Sequence, residues 1–163
     1  MEIDTGRLAG LLSSRRLSLA VAESCTGGLI SGAITDRPGS SEYFLGGVVA
    51  YSNDIKHSML GVPEILLEKH GAVSRQVAEA MAEGARARFN ADFAVSATGI
   101  AGPSGGSPEK PVGLVYIGIA VPGNIISREF LFKGERKEIR ENACREAINL
   151  LTEQITLWID AGG

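Results

Sequence analysis

A short apolar run, Leu17 to Ala22, passes without a break into Glu23-Ser24-Cys25-Thr26-Gly27-Gly28. It reads as a strand followed by a tight turn, and Leu29 to Thr35 beyond it reads as a helix stopped by Asp36-Arg37-Pro38-Gly39. A strand that hands over directly to a helix places the chain among layered α/β folds, and the remaining segments agree. Ile3 to Arg15 has the apolar spacing of a short amphipathic helix. Phe44 to Tyr51, rich in Val and aromatic residues, reads as a strand. Ser52 or Asn53 is placed to cap a helix running to Leu60, with Gly61 as its stop and Pro63 beyond. Pro63 to Lys69 forms a further short helix. Ser74 opens a strong one, because Val77, Ala80, Met81, Gly84, Ala85 and Phe89 recur at three- and four-residue spacing.

Phe93 to Thr98 is the next strand, followed by a loop from Gly99 to Lys110 dense in Gly, Pro and Ser. Val112 to Val121 and Ile125 to Phe132 read as two strands joined at Pro122-Gly123-Asn124. Glu135 to Asp160 is a long helix with Ile139, Ala143, Ala147, Leu150, Leu151, Ile155 and Trp158 on one face. The expected fold is a three-layer α/β/α arrangement with a mixed, mostly parallel sheet, the hairpin supplying the antiparallel part. In such sheets ligands bind outside the carboxyl ends of the strands.

The chain has 163 residues, which suits one domain, and neither a linker nor an internal repeat divides it. Its formal net charge is −3, so it lacks the basic surface expected of a partner of nucleic acid or an anionic membrane. The apolar run Leu114 to Val121 is far short of the roughly 20 residues a membrane helix needs. Met1-Glu2-Ile3-Asp4 carries charge where a signal peptide needs a basic and then an apolar start, and two cysteines make no disulfide framework. A reduced cytoplasmic protein is the expectation. Glycine stands out at 21 residues, about twice the usual share. The glycines gather at Gly27-Gly28, Gly46-Gly47, Gly99 to Gly106 and Gly113 to Gly123, where tight turns bring backbone close to something else.

Three clusters carry possible chemistry. Ser24 sits where a strand becomes a helix, and the backbone N–H groups of Thr26, Gly27 and Gly28 follow at a helix N-terminus. That geometry suits an oxyanion hole or equally a phosphate cradle; helix capping by Ser24 or Thr26 is the commoner role for such residues. Cys25 is a rival nucleophile, although small buried cysteines are more often inert. Tyr51 ends a strand and Lys56 lies in the following helix, so both stand at the same sheet edge as Ser24. A Lys held among apolar groups loses proton affinity and can serve a serine as base, whereas most lysines are simply solvated.

The third cluster is the loop Thr98, Gly99, Ile100, Ala101, Gly102, Pro103, Ser104, Gly105, Gly106, Ser107, whose free N–H groups suit an anion. Arg136 and Arg140, one helical turn apart, offer charge to the same anion. A solvated helix face shared with Glu135, Glu138 and Glu141 is the favoured reading for those two arginines. His57 and His70 lack metal-ligand spacing, and no metal is expected.

Ala22-Glu23-Ser24-Cys25-Thr26-Gly27-Gly28, Gly47 to Asn53 with Lys56, and Ala97 to Pro103 through Lys110-Pro111-Val112-Gly113 together resemble the CinA C-terminal domain family, which includes the nicotinamide-nucleotide amidases. The resemblance covers essentially the whole chain and, at this length, is to the stand-alone members. It implies an α/β/α fold with a mixed sheet. It implies hydrolysis of the carboxamide of nicotinamide mononucleotide to the nicotinate nucleotide and ammonia, without metal or cofactor. By the same resemblance Ser24 is the nucleophile, with Tyr51 and Lys56 in support.

On this reading Lys56 takes the Ser24 proton, N–H groups near Thr26 to Gly28 hold the oxyanion, and Tyr51 orients Lys56 or Ser24. The loop Gly99 to Gly106 is favoured over Arg136 and Arg140 for the ribose phosphate, and Glu23 is structural. A nucleotide-binding module that does not cleave is the alternative. The expected partners are a small-molecule nucleotide and further copies of the same chain, with neither nucleic acid nor membrane.

Overall fold

The computed structural model describes residue 1 and residues 3–163. Among the described residues five strands form one sheet: β1 (Leu19–Glu23), β2 (Phe44–Val49), β3 (Phe93–Gly99), β4 (Leu114–Val121) and β5 (Asn124–Leu131), in the order β2-β1-β3-β4-β5. β1 pairs in parallel with both β2 and β3, while β4 is antiparallel to β3 and to β5. The sheet is mixed, as expected. Four strands share one direction, and the hairpin turns only β4 against them, so pairings divide evenly between the two kinds.

Among the described residues six α-helices flank the sheet: α1 (Gly6–Arg15), α2 (Leu29–Thr35), α3 (Asn53–Leu60), α4 (Glu64–His70), α5 (Arg75–Phe89) and α6 (Arg136–Asp160). The alternation of side chains along β1 decides which layer each residue joins. Leu19 and Val21 enter a core with Leu8, Leu12, Ile30 and the inner face of α6. Ala20 and Ala22 enter a second core with Leu60, Val77, Met81 and Ala85. All five residues of β1 are buried, because helices cover both faces of this central strand.

Helix boundaries follow local capping. Ser52 Oγ accepts from Ile55 N–H (3.2 Å) and starts α3; Ser74 Oγ accepts from Val77 N–H (3.3 Å) and starts α5. α1 begins at Gly6 rather than Ile3, since Asp4 turns its carboxylate back to accept from Gly6 N–H at 2.8 Å. β1, β2 and β3 run parallel, so Ser24, Tyr51 and Gly99 all emerge at one edge of the sheet. That edge is where the chemistry-bearing residues meet. Among the described residues no helix is long and apolar enough to cross a membrane.

Candidate active site

Glu23, the last residue of β1, is almost wholly buried, and its carboxylate reaches forward into the start of α2. One oxygen accepts from Gly28 N–H (2.9 Å) and Ile30 N–H (3.1 Å). The other accepts from Ser31 N–H (2.9 Å) and Ser31 Oγ–H (2.8 Å). A helix N-terminus leaves orphan N–H donors, and here a carboxylate of the chain itself takes them. Gly27 N–H is likewise used, donating to the Ser24 carbonyl at 3.1 Å. This corrects the expectation for Gly27 and Gly28: their N–H groups serve the turn instead of facing a ligand. Gly28, at φ +102°, supplies the left-handed step that lets the chain double back over Glu23.

Two donors stay open at the elbow. Among the described residues, the N–H groups of Cys25 and Thr26 donate to no protein oxygen. Thr26 is fully buried, and its Oγ1 has no hydrogen-bond partner among the described residues.

Ser24 projects just past the end of β1, with 8% of its surface exposed. Lys56 lies in α3 and is among the largest fully buried side chains of the protein. Its Nζ sits 3.0 Å from Ser24 Oγ and donates to the Tyr51 carbonyl at 3.2 Å. Among the described residues no carboxylate forms an ion pair with it. Desolvation by burial therefore holds its pKa below the ordinary lysine value. The same burial brings the ammonium against two oxygens, Ser24 Oγ and the Tyr51 carbonyl.

Cys25, one residue on, is the opposite case. Burial first, then the nearby Glu23 charge, pushes its thiol up to about 12. It stays protonated at neutral pH and is a poor nucleophile.

Tyr51 contributes through a different atom than expected. Its backbone carbonyl receives Lys56, while the phenol is 61% exposed and accepts from Arg136 Nη2 at 3.0 Å. Arg136 Nη1 donates to the Gly102 carbonyl at 2.7 Å, so one guanidinium joins the Tyr51 side chain to the Gly-rich loop. Arg140 donates from Nε to the Cys25 carbonyl and from Nη2 to the Thr26 carbonyl, both at 2.9 Å.

The solvated-face reading of these arginines is overturned, because the N-terminus of α6 comes down at the same sheet edge. Glu135 and Glu138 are occupied with each other's backbone in a capping box. Arg140 holds the Ser24 turn from behind and does not line the Ser24 cavity.

That cavity has a volume of about 280 Å³. Ser24, Tyr51, Lys56, Thr98, Gly99, Ile100, Ala101, Gly102, Gly105 and Arg136 line it. Thr26, Gly27, Gly28 and Arg140 support the wall without lining it. Thr98 is nearly buried, and its hydroxyl donates to the Ala72 carbonyl (2.8 Å). Ile100 N–H is taken by the Leu114 carbonyl (2.9 Å).

The sequence reading missed Asn53, Ala72 and Val73. Asn53 stands three residues before Lys56, a spacing that puts both on one helix face. Ala72 and Val73 carry no local signal beyond the Gly71 and Ser74 that flank them. A neighbouring cavity of about 640 Å³ shares Ala101 and Arg136 and adds Lys137 and Arg140. Among the described residues no three His, Cys, Asp or Glu side chains gather to hold a metal.

Taken together, a serine beside a buried lysine at a strand-to-helix elbow of an α/β/α sheet defines a class of protein to which comparison gives a family. The CinA C-terminal domain model matches residues 4–155, and the chain belongs to that family. A CinA-like protein of Desulfotalea psychrophila is 54% identical over 140 residues, covering 86% of this chain and 34% of its own. A CinA-like protein of Thermosynechococcus vestitus is 52% identical over 153 residues, covering 92% and 37%. The chain thus spans about a third of the length of the curated relatives it matches.

Among solved structures, the competence damage-inducible protein A of Klebsiella pneumoniae superposes with a TM-score of 0.91 at 32% identity, covering 94% of this chain and 96% of that one. The competence/damage inducible protein CihA of Agrobacterium tumefaciens gives 0.85 at 45% identity, covering 93% and 97%.

Proposed function

We propose that the chain hydrolyses the carboxamide of nicotinamide mononucleotide, giving nicotinate mononucleotide and ammonia through an acyl-enzyme on Ser24. The observation that carries this reading is Lys56 Nζ, buried, without a carboxylate partner among the described residues, 3.0 Å from Ser24 Oγ. The neutral amine takes the hydroxyl proton as Oγ bonds to the amide carbon. The N–H group of Cys25, which lines the cavity, receives the developing oxyanion. Lys56 returns the proton to the amide nitrogen, the C–N bond breaks, and ammonia leaves. Water then bonds to the acyl carbon while Lys56 takes its proton. The ester C–O bond breaks, the proton returns to Ser24 Oγ, and the product acid ionises.

A phosphate carries no reacting atom, so its part is to position the substrate. The cavity is near the lower end of the roughly 300–1,000 Å³ usual for ligand sites. Its Gly-rich wall supplies backbone N–H groups and Arg136 a positive charge, which suits the phosphate end. The decisive assay is ammonia release from nicotinamide mononucleotide by the purified protein, with Ser24→Ala as control. Nicotinamide riboside should be a much poorer substrate, and inorganic phosphate should compete. A protein that binds the mononucleotide without releasing ammonia would be a binding module, and this reading would fall.

A further inference from the structure

The loop between β3 and β4 is tied to the opposite wall of the Ser24 cavity at both of its ends. At the β3 end the tie is the Thr98 hydroxyl on the Ala72 carbonyl. At the far end, the Lys110 ammonium donates to the His70 carbonyl. His70 closes α4, and a cation is favoured against the carbonyls of a last helical turn.

The local chain is arranged for this contact. The Lys110 N–H donates to Ser107 Oγ (3.0 Å) and Ser107 N–H to the Lys110 carbonyl (2.8 Å), a tight turn that aims the side chain. Gly71 leaves the approach open: a Cβ there would lie 3.0 Å from Lys110 Nζ. Among the described residues no carboxylate pairs with this ammonium. Ala72, which the strip just after His70 brings to the cavity, faces the loop across it.

We propose that Lys110 is a positioning residue: a latch that holds the Gly-rich loop against the 71–74 strip and so sets the width of the substrate cavity. It touches no reacting atom, lies half-exposed, and can be released without unpacking the core. Its kinetic consequence rests on the amidase reading; its structural consequence does not.

Hydrogen exchange followed by mass spectrometry on the free protein tests the latch first. Lys110→Met keeps the apolar stem and removes the donor. Backbone amides of 71–74 and 99–106 should then exchange roughly tenfold faster, while β1 and β3 stay as protected as before. Lys110→Arg, which can still donate, should restore most of the protection. With nicotinamide mononucleotide, Lys110→Met should raise KM about tenfold and leave kcat within about twofold, the signature of lost positioning without lost chemistry.

Unchanged local exchange overturns the proposal. So does faster exchange throughout β1 and β3, or a Lys110→Arg variant no better than Lys110→Met. If the wild-type chain releases no ammonia, the amidase reading fails and the exchange arm still decides the latch.

Discussion

Lys56 Nζ and Ser24 Oγ stand 3.0 Å apart at the end of β1, and the nitrogen's other protein contact is a carbonyl that can only accept. Were the amine neutral, as the proposed reaction requires, its lone pair would be left for the serine hydroxyl.

Ser24→Ala should fold as the wild type does and lose turnover by several orders of magnitude, as removal of a nucleophile does elsewhere. Cys25→Ala should keep most of the activity, because its thiol is held protonated. Steady-state ammonia release from the two variants, with circular dichroism as the folding control, separates them.

Lys56 sets a pH dependence of both rate and stability. Its pKa is lowered in the folded protein, so the folded state binds fewer protons than the unfolded state between that lowered value and the ordinary 10.5. Stability tied to this group therefore rises with pH across that window and is reduced below it. Unfolding free energies of wild type and Lys56→Met, measured from pH 7 to 10, should shift in favour of wild type as pH increases. Activity should rise over the same range as the amine deprotonates, and Lys56→Arg should be nearly inactive throughout.

Glu23→Ala should act on stability. It removes the acceptor for three backbone N–H groups and one hydroxyl at the start of α2. A loss of about 2–4 kcal/mol is expected from hydrogen bonds to a buried charge, which for a chain of this size lowers Tm by roughly 5–12 °C. Calorimetry reads it directly.

Arg136 and Arg140 should separate kinetically. Arg140→Ala frees the Cys25 and Thr26 carbonyls, letting the open N–H groups of the elbow drift. A misplacement of about 1 Å there costs on the order of 100-fold, and it should fall on kcat. Arg136→Ala removes a group that lines the cavity and bridges Tyr51 to Gly102, and should fall mainly on KM.

Much of this was legible in the sequence because it is local. The run Leu17 to Ala22, the Ser52 and Ser74 caps and the α5 periodicity report their own conformation, and parallel strands then bring Ser24, Tyr51 and Lys56 to one edge. What was not legible depends on contacts between distant segments. The arginines of α6 resemble any solvated pair until that helix is seen to end over the elbow, more than a hundred residues from Cys25 in sequence. Glu23 stands next to Ser24, yet its side chain turns past it to fill the donors expected to face a ligand. Tyr51 was read by its side chain, and the backbone carbonyl does the holding.

On the proposed amidase reading, the carboxylate buried at the start of α2 has a consequence for product release. An exposed helix N-terminus beside the nucleophile would attract anions. Hydrolysis of an amide replaces a neutral group by a carboxylate at that very spot. With Glu23 already occupying the donors at the start of α2, an acid formed by the proposed reaction would meet no free helix N-terminus beside Ser24, which favours its release.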